Sequence, residues 1–275
     1  MWLARIALLP DEPRPRHPLD DLTAFVESES AGDALRDPRR GDDLGHVLDA
    51  APWLGGKRTG RTVVMAERTA VAPVDPPKIL CVGRNYAAHA KELGNEVPKE
   101  PLLFLKPHSS LLGPAGTIVL PPQSQKVEHE VELGVVIGRR ARDVEAGDAL
   151  SFVYGYTVVG DITARDLQKS DGQWSRAKGF DGFCPVGPRV VTGLDPSDLH
   201  ITCRVNGATR QDGRTSQMVF PVPELIAYAS RMMTLAPGDL LLTGTPAGVG
   251  PLTPGDRLEM EIEGVGVLVC DVRAA

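Results

Sequence analysis

Short apolar runs, rich in aliphatic and β-branched residues and bounded by Gly, Pro, Asn or Asp, recur along most of this chain. Those at 3–9, 78–82, 102–105, 152–159, 199–205, 240–243, 257–262 and 264–272 read as strands. Asn206-Gly207 is the strongest hairpin signal, and Pro237-Gly238-Asp239 and Pro254-Gly255-Asp256 are turns that introduce strands. The run 127–139 is the focus of the pattern. It is apolar enough for an interior strand, yet Glu128, Glu130 and Glu132 stand at its head, and alternate residues of a strand share a face. Three carboxylates so placed must face water, take up protons or share a cation.

Helical spacing is weaker. It predicts helices at 22–26, 44–48, 144–150 and 223–233, and a turn followed by a short helix over 83–94 that Gly94 stops. The proline- and charge-rich run 10–18, the solvated segment 37–43 and the span 179–187 read as loops. After the linker 71–77 the character of the chain changes. Residues 1–72 therefore read as a small N-terminal lobe, and 73–275 as a mainly β body with some α, closed by packed or rolled sheets.

Composition narrows the reading further. With 275 residues, 42% of them hydrophobic, the chain can bury one large core, or a large core plus a lobe. Its 24 prolines and 29 glycines argue against a helical bundle and for strands with shaped loops. A net charge of -6 with 5% aromatics speaks against nucleic-acid partners, which call for a basic stripe or stacking platforms. Cys81, Cys184, Cys203 and Cys270 have neither zinc-like spacing nor a close pair, and read as buried thiols of a reducing compartment. Neither a signal peptide nor a stretch of membrane-spanning length is legible, so the expected location is the cytoplasm, with no membrane partner.

Asp161 follows the strand at 152–159. It suits either a helix N-cap or a third oxygen ligand beside the glutamates, and an oxygen-only carboxylate set suits Mg2+ or Mn2+. His89 and Glu92 are three apart in a helical segment, as an exposed ion pair or a water-activating base would be. Arg84, Lys106 and Lys178 are cations in glycine- or proline-shaped segments, where they meet solvent or dock a substrate carboxylate. The run 242–250 lacks the Lys-Ser/Thr ending of a phosphate loop and reads instead as a small-anion nest of backbone N–H groups.

From about residue 73 to 272 the chain resembles the fumarylacetoacetate hydrolase superfamily, in particular its branch of acylpyruvate hydrolases, oxaloacetate decarboxylases and 2-hydroxyhepta-2,4-diene-1,7-dioate isomerases. The likeness rests on ordered motifs: Val82-Gly83-Arg84-Asn85-Tyr86 with His89 and Glu92, Phe104-Leu105-Lys106-Pro107, His129-Glu130-Val131-Glu132-Leu133, and Gly155-Tyr156 through Asp161 to Asp166. Lys178-Gly179-Phe180-Asp181 and Thr243-Gly244-Thr245-Pro246, followed by Gly248-Val249-Gly250, complete the order.

The resemblance implies a fumarylacetoacetate hydrolase-like β-rich barrel or roll, usually a homodimer, as the catalytic domain over 73–275. Residues 1–72 match the family poorly. It implies Glu130, Glu132 and Asp161 as ligands of Mg2+ or Mn2+, with Glu128 outside them. His89 and Glu92 become an acid/base dyad on a lid, with Lys178 approaching the substrate as a third catalytic group. Arg84, Lys106, Gln168 and Thr245 are the implied substrate-binding residues, and 95–101 a contributor to specificity. The implied activity is divalent-metal-dependent hydrolysis of a C–C bond in an acylpyruvate-type 1,3-diketo acid through a metal-bound enolate. Oxaloacetate decarboxylation and isomerisation of a hydroxyhepta-dienedioate are the alternatives at the same site, and a metal-stabilised binding protein is the non-enzymatic one.

Overall fold

The computed structural model describes residues 1–7, 23–28, 44–64 and 70–275. The run 10–18 and the segment 37–43 lie outside them. Among the described residues the fold is β-rich with a small helical component. The largest sheet follows the order Arg58–Val64, Leu44–Leu48, Thr23–Ser28, Trp2–Ala7, Cys184–Val191, Val153–Gly160, Val131–Ile137, Leu240–Leu242, Ile79–Gly83, Leu102–Lys106. The N-terminal strands thus extend the ladder beyond Cys184–Val191, with Trp2 opposite Val191. A five-stranded sheet runs Ala208–Arg214, His200–Val205, Arg257–Ile262, Gly266–Ala274, Thr117–Leu120. Both ladders are open paths among the described residues, so the body consists of packed sheets rather than a closed barrel.

One core joins the two sheets. Leu133, Val135 and Val158 from the large sheet are buried with Ile201, Met260 and Leu268 from the smaller one. Each such side chain contributes roughly 1.5–3 kcal/mol by leaving water. Of the four α-helices among the described residues, α1 (Ala87–Glu92), α2 (Arg165–Asp171) and α3 (Ser175–Lys178) border one cavity. The fourth, α4 (Val222–Met232), buries Val222, Leu225, Ile226 and Ala229 along one face at helical spacing.

Several elements differ from the sequence reading. The helices expected at 22–26 and 44–48 are strands wherever described, and they pair with each other, Val26 opposite Val47. Five-residue runs cannot sustain an isolated helix, and neighbouring strands supply the missing hydrogen bonds. The helix expected at 144–150 is replaced by turns leading to a 3-10 segment, Ala149–Phe152. There Gly147 weakens the helix, and the Ser230 hydroxyl accepts the Val144 N–H at 2.9 Å. The loop expected over 179–187 ends early, because a central strand begins at Cys184. Pro185 and Pro188 disguised it, since prolines ordinarily argue against a central strand.

The glutamate run is divided at Glu130. Val127–His129 pairs with Thr163–Ala164 and Gly250–Pro251 in a three-stranded sheet, while Val131–Ile137 enters the large one. Glu130 therefore sits at the junction of two sheets. In the second strand, a Cβ on Gly134 would lie 2.4 Å from Val159, so only glycine allows the pairing that carries Glu132 inward.

Candidate active site

The division at Glu130 decides where each carboxylate points. Glu128 turns to Arg165 (2.6 Å) and Lys126 (3.0 Å). Glu130 and Glu132 meet Asp161 instead, with one oxygen of each within 4.8 Å of the others, and all three side chains are buried. Asp161 reaches this place because its strand, Val153–Gly160, runs beside Val131–Ile137 and its N–H donates to the Glu130 carbonyl at 2.9 Å. It does not cap α2, whose N-cap is Ala164.

The charges around the cluster do not balance evenly. Lys178 Nζ lies 2.8 Å from Glu130 Oε2 and 2.5 Å from Asp161 Oδ2, and Lys106 Nζ lies 2.7 Å from Asp161 Oδ1. Arg165 adds a contact of 2.5 Å to Glu130 Oε1. Burial alone would raise the pKa of Glu130, but Lys178 and Arg165 outweigh it and hold that carboxyl below its usual range. Glu132 has no ion pair among the described residues and accepts only the Gly244 N–H, at 2.7 Å. Burial and then the charges of Asp161 and Glu130 push its pKa well up. Lys178 stays protonated despite burial because Asp161 and Glu130 face it. Three buried oxygen donors, one of them uncompensated, suit a hard divalent cation.

A cavity of about 470 Å3 opens onto this cluster. His89 lines it, buried at 5% exposure, with Nδ1 3.4 Å from Glu92 Oε2 and Nε2 4.0 Å from Glu130 Oε1. Glu92 in turn accepts the Gly248 N–H at 3.0 Å, while Gly244 serves Glu132. The backbone nest expected at 242–250 thus holds two of the protein's own carboxylates. Arg84, Gln168, Lys178, Thr245 and Asn95 also line the cavity. Arg84 has φ 58° and lies 5.9 Å from the Trp174 ring centre, and Gln168 Oε1 accepts from Arg165 at 2.6 Å. Thr245 donates to the Val131 carbonyl and accepts from Gln211, both at 2.7 Å. Lys106 is buried against Asp161 and does not line the cavity.

Sequence reasoning missed Arg165 and Gln211. Gln211 is buried, and its amide donates to Thr245 Oγ1 and the Pro246 carbonyl (2.8 Å). Its oxygen accepts the Val131 N–H at 3.0 Å and faces His129 Nδ1 at 3.1 Å. This clamp ties the glutamate strands to the 243–246 turn. The sequence carries no signal for it: Gln211 and Gly213 are the buried positions of a strand whose residues read as polar throughout.

Residues 78–273 match the family model for the C-terminal region of fumarylacetoacetate (FAA) hydrolase. The chain is 49% identical over 217 residues to a human mitochondrial oxaloacetate tautomerase, covering 74% of this chain and 69% of that protein. A crystal structure of 2-hydroxyhepta-2,4-diene-1,7-dioate isomerase from Mycobacterium marinum superposes with a TM-score of 0.86 at 42% identity, covering 100% of this chain and 98% of that one. Fumarylpyruvate hydrolase from Pseudomonas aeruginosa, solved with Mn2+ and pyruvate, gives 0.68 at 35% identity, over 75% and 92% of the two chains. By the extent of the family match and the identity to these relatives, the chain belongs to the fumarylacetoacetate hydrolase family.

Proposed function

We propose that this protein hydrolyses a C–C bond in an acylpyruvate-type 1,3-diketo acid, using Mg2+ or Mn2+. The observation that carries the reading is His89, which is paired with Glu92, lines the same cavity as the Glu130, Glu132 and Asp161 triad and brings its Nε2 to 4.0 Å from Glu130. Those three carboxylates would hold the ion, which when bound supplies Lewis-acid polarisation of a 2-oxo acid.

The chain's own groups do the rest. His89 takes a proton from water, with Glu92 fixing the ring and Gly248 fixing Glu92. The hydroxide adds to the distal carbonyl of the substrate. The C–C bond then breaks with its electron pair on the pyruvate side, and His89 returns the proton to that carbon. Lys178 and Arg165 bring positive charge to the side of the cavity where negative charge develops. Arg84, Gln168 and Thr245 orient the substrate from the cavity wall.

A second reading is proton transfer between carbons, as in an isomerase, and it is favoured by the full-length superposition on the Mycobacterium marinum isomerase. It uses the same dyad without a water. Decarboxylation of oxaloacetate would likewise dispense with the water. The same reading makes the protein a cytoplasmic homodimer, with 1–72 as a small lobe and 73–275 as the catalytic unit. Four buried free thiols suit the compartment, and Leu102 and Leu105, 36% and 49% exposed on an edge strand, suit a dimer contact.

Steady-state turnover of acetylpyruvate, fumarylpyruvate, oxaloacetate and a hydroxyhepta-dienedioate, with Mg2+ or Mn2+ and an EDTA control, tests this. Metal-dependent preference for an acylpyruvate is expected. Preference for the dienedioate selects the second reading, and inactivity on all four overturns both.

A further inference from the structure

A second cavity, of about 610 Å3, is bordered by the 248–250 segment. His129, Thr209, Arg210 and Asp256 are among its lining residues, with Gly248 to Gly250 forming one wall. One of its lining side chains, His129, is fixed from behind by the Gln211 clamp. The Pro246 carbonyl can only accept and the Val131 N–H can only donate, so the Gln211 amide has one possible orientation, with its oxygen toward Val131. His129 Nδ1 faces that same oxygen at 3.1 Å and must carry the hydrogen. The Nε2 lone pair is left over. His129 is 1% exposed, and its Nε2 has no hydrogen-bond partner among the described residues although the side chain lines the cavity.

The remaining groups indicate what completes it. Arg210 forms no ion pair among the described residues, so the cavity offers a guanidinium for a carboxylate. His129 Nε2 requires a donor. Asp256 lines the same cavity; Asn206 and Thr253 donate to its carboxyl, and the charge of Arg210 acts on it as well, without a direct ion pair. A donor beside both an acceptor nitrogen and a carboxylate is better matched by an ammonium than by a hydroxyl.

We propose that this cavity is a binding site for a small α-amino acid, its carboxylate on Arg210 and its ammonium toward His129 Nε2 and Asp256. The site touches the dyad through the backbone. A Cβ on Gly248 would lie 2.0 Å from the Arg210 carbonyl, so these two segments pack backbone against backbone, and the Gly248 N–H holds Glu92.

The test is binding of glycine, L-alanine and L-aspartate, against the matching 2-hydroxy acids, to the full-length protein in EDTA by calorimetry. The imidazole 15N signals of His129 are followed in parallel. Saturable amino-acid binding with a shift at Nε2 and little change at Nδ1 is expected, with affinity falling about tenfold or more in Arg210→Ala. That variant keeps its basal turnover. Absence of binding, equal affinity for the hydroxy acids, or binding unaltered in Arg210→Ala overturns the site. Because neither metal nor turnover is involved, failure of the proposed reaction would leave this result standing, and the converse holds too.

Discussion

Glu132 accepts the Gly244 N–H at 2.7 Å and has no ion pair among the described residues, whereas Glu130, two residues away, is held by Lys178 and Arg165. The two carboxyls therefore titrate in opposite directions from the same ordinary value of 4.5. Glu132, raised by burial and by the charges of Asp161 and Glu130, binds more protons folded than unfolded above that value. In the metal-free protein its contribution to stability accordingly falls as pH rises from 4.5 toward its folded pKa. Glu130, lowered by Lys178 and Arg165 against its burial, contributes stability that is lost as pH falls below 4.5. Thermal melts in EDTA over about pH 5 to 8 should show declining Tm, and Glu132→Gln should flatten that decline. A profile identical to wild type in the variant removes Glu132 as its source.

His89→Ala separates proton transfer from metal binding. The imidazole Nε2 stands 4.0 Å from Glu130, and its other nitrogen is committed to Glu92, so it is not one of the three clustered donors. Acylpyruvate cleavage should fall by about 100-fold or more while divalent affinity stays within a few-fold. Equal loss of both would sink this division of roles. Glu132→Ala is the complement, because it removes a donor and must weaken Mn2+ binding in a direct titration.

How legible this was depended on sequence distance. Alternation put Glu128, Glu130 and Glu132 forward together and left Asp161 as either an N-cap or a ligand, and the set Glu130, Glu132 and Asp161 came from the family resemblance. The division at Glu130 that turns Glu128 away depends on pairing with Thr163–Ala164 and Gly250–Pro251, which the run itself does not display. Arg165 was hidden because it opens a short helix whose surroundings read as polar surface. Gln211 was hidden because its partner His129 is 82 residues away and its own strand, Ala-Thr-Arg-Gln-Asp-Gly-Arg, looks solvent-facing. For the fold, the strand Cys184–Val191 was concealed by two prolines, and Thr23–Ser28 with Leu44–Leu48 by runs too short to display a period. Each misreading was of local signal that long-range pairing overrode.

Gln211→Leu keeps the volume of the clamp and deletes its polarity. The Val131 N–H and His129 Nδ1–H lose their acceptor, and the Pro246 carbonyl loses a donor, all in buried surroundings. An unsatisfied buried group costs about 1–3 kcal/mol, so a total loss of roughly 3 kcal/mol or more is expected in chemical denaturation. Gln211→Glu retains the acceptor oxygen and should cost less near neutral pH only if the carboxyl takes up a proton to donate to Pro246. Its stability should therefore decline with rising pH, whereas that of Gln211→Leu should not acquire such a slope.

Arg165 places three donors on three acceptors: Nε on Glu128 at 2.6 Å, one terminal nitrogen on Glu130 at 2.5 Å and the other on Gln168 at 2.6 Å. If its role were charge alone, Arg165→Lys would preserve it and Arg165→Met would not. The planar fork argues otherwise, because a lysine ammonium is a point charge on a flexible stem and cannot span Glu128 and Glu130 in fixed directions. Glu130 is aimed by this fork, and residues that orient a ligand typically support its metal affinity by about 10–100-fold. Both variants should therefore lose divalent affinity by similar factors in that range, while retaining the cluster of Glu130, Glu132 and Asp161. Full affinity in Arg165→Lys alongside a loss in Arg165→Met would reduce Arg165 to a counter-charge.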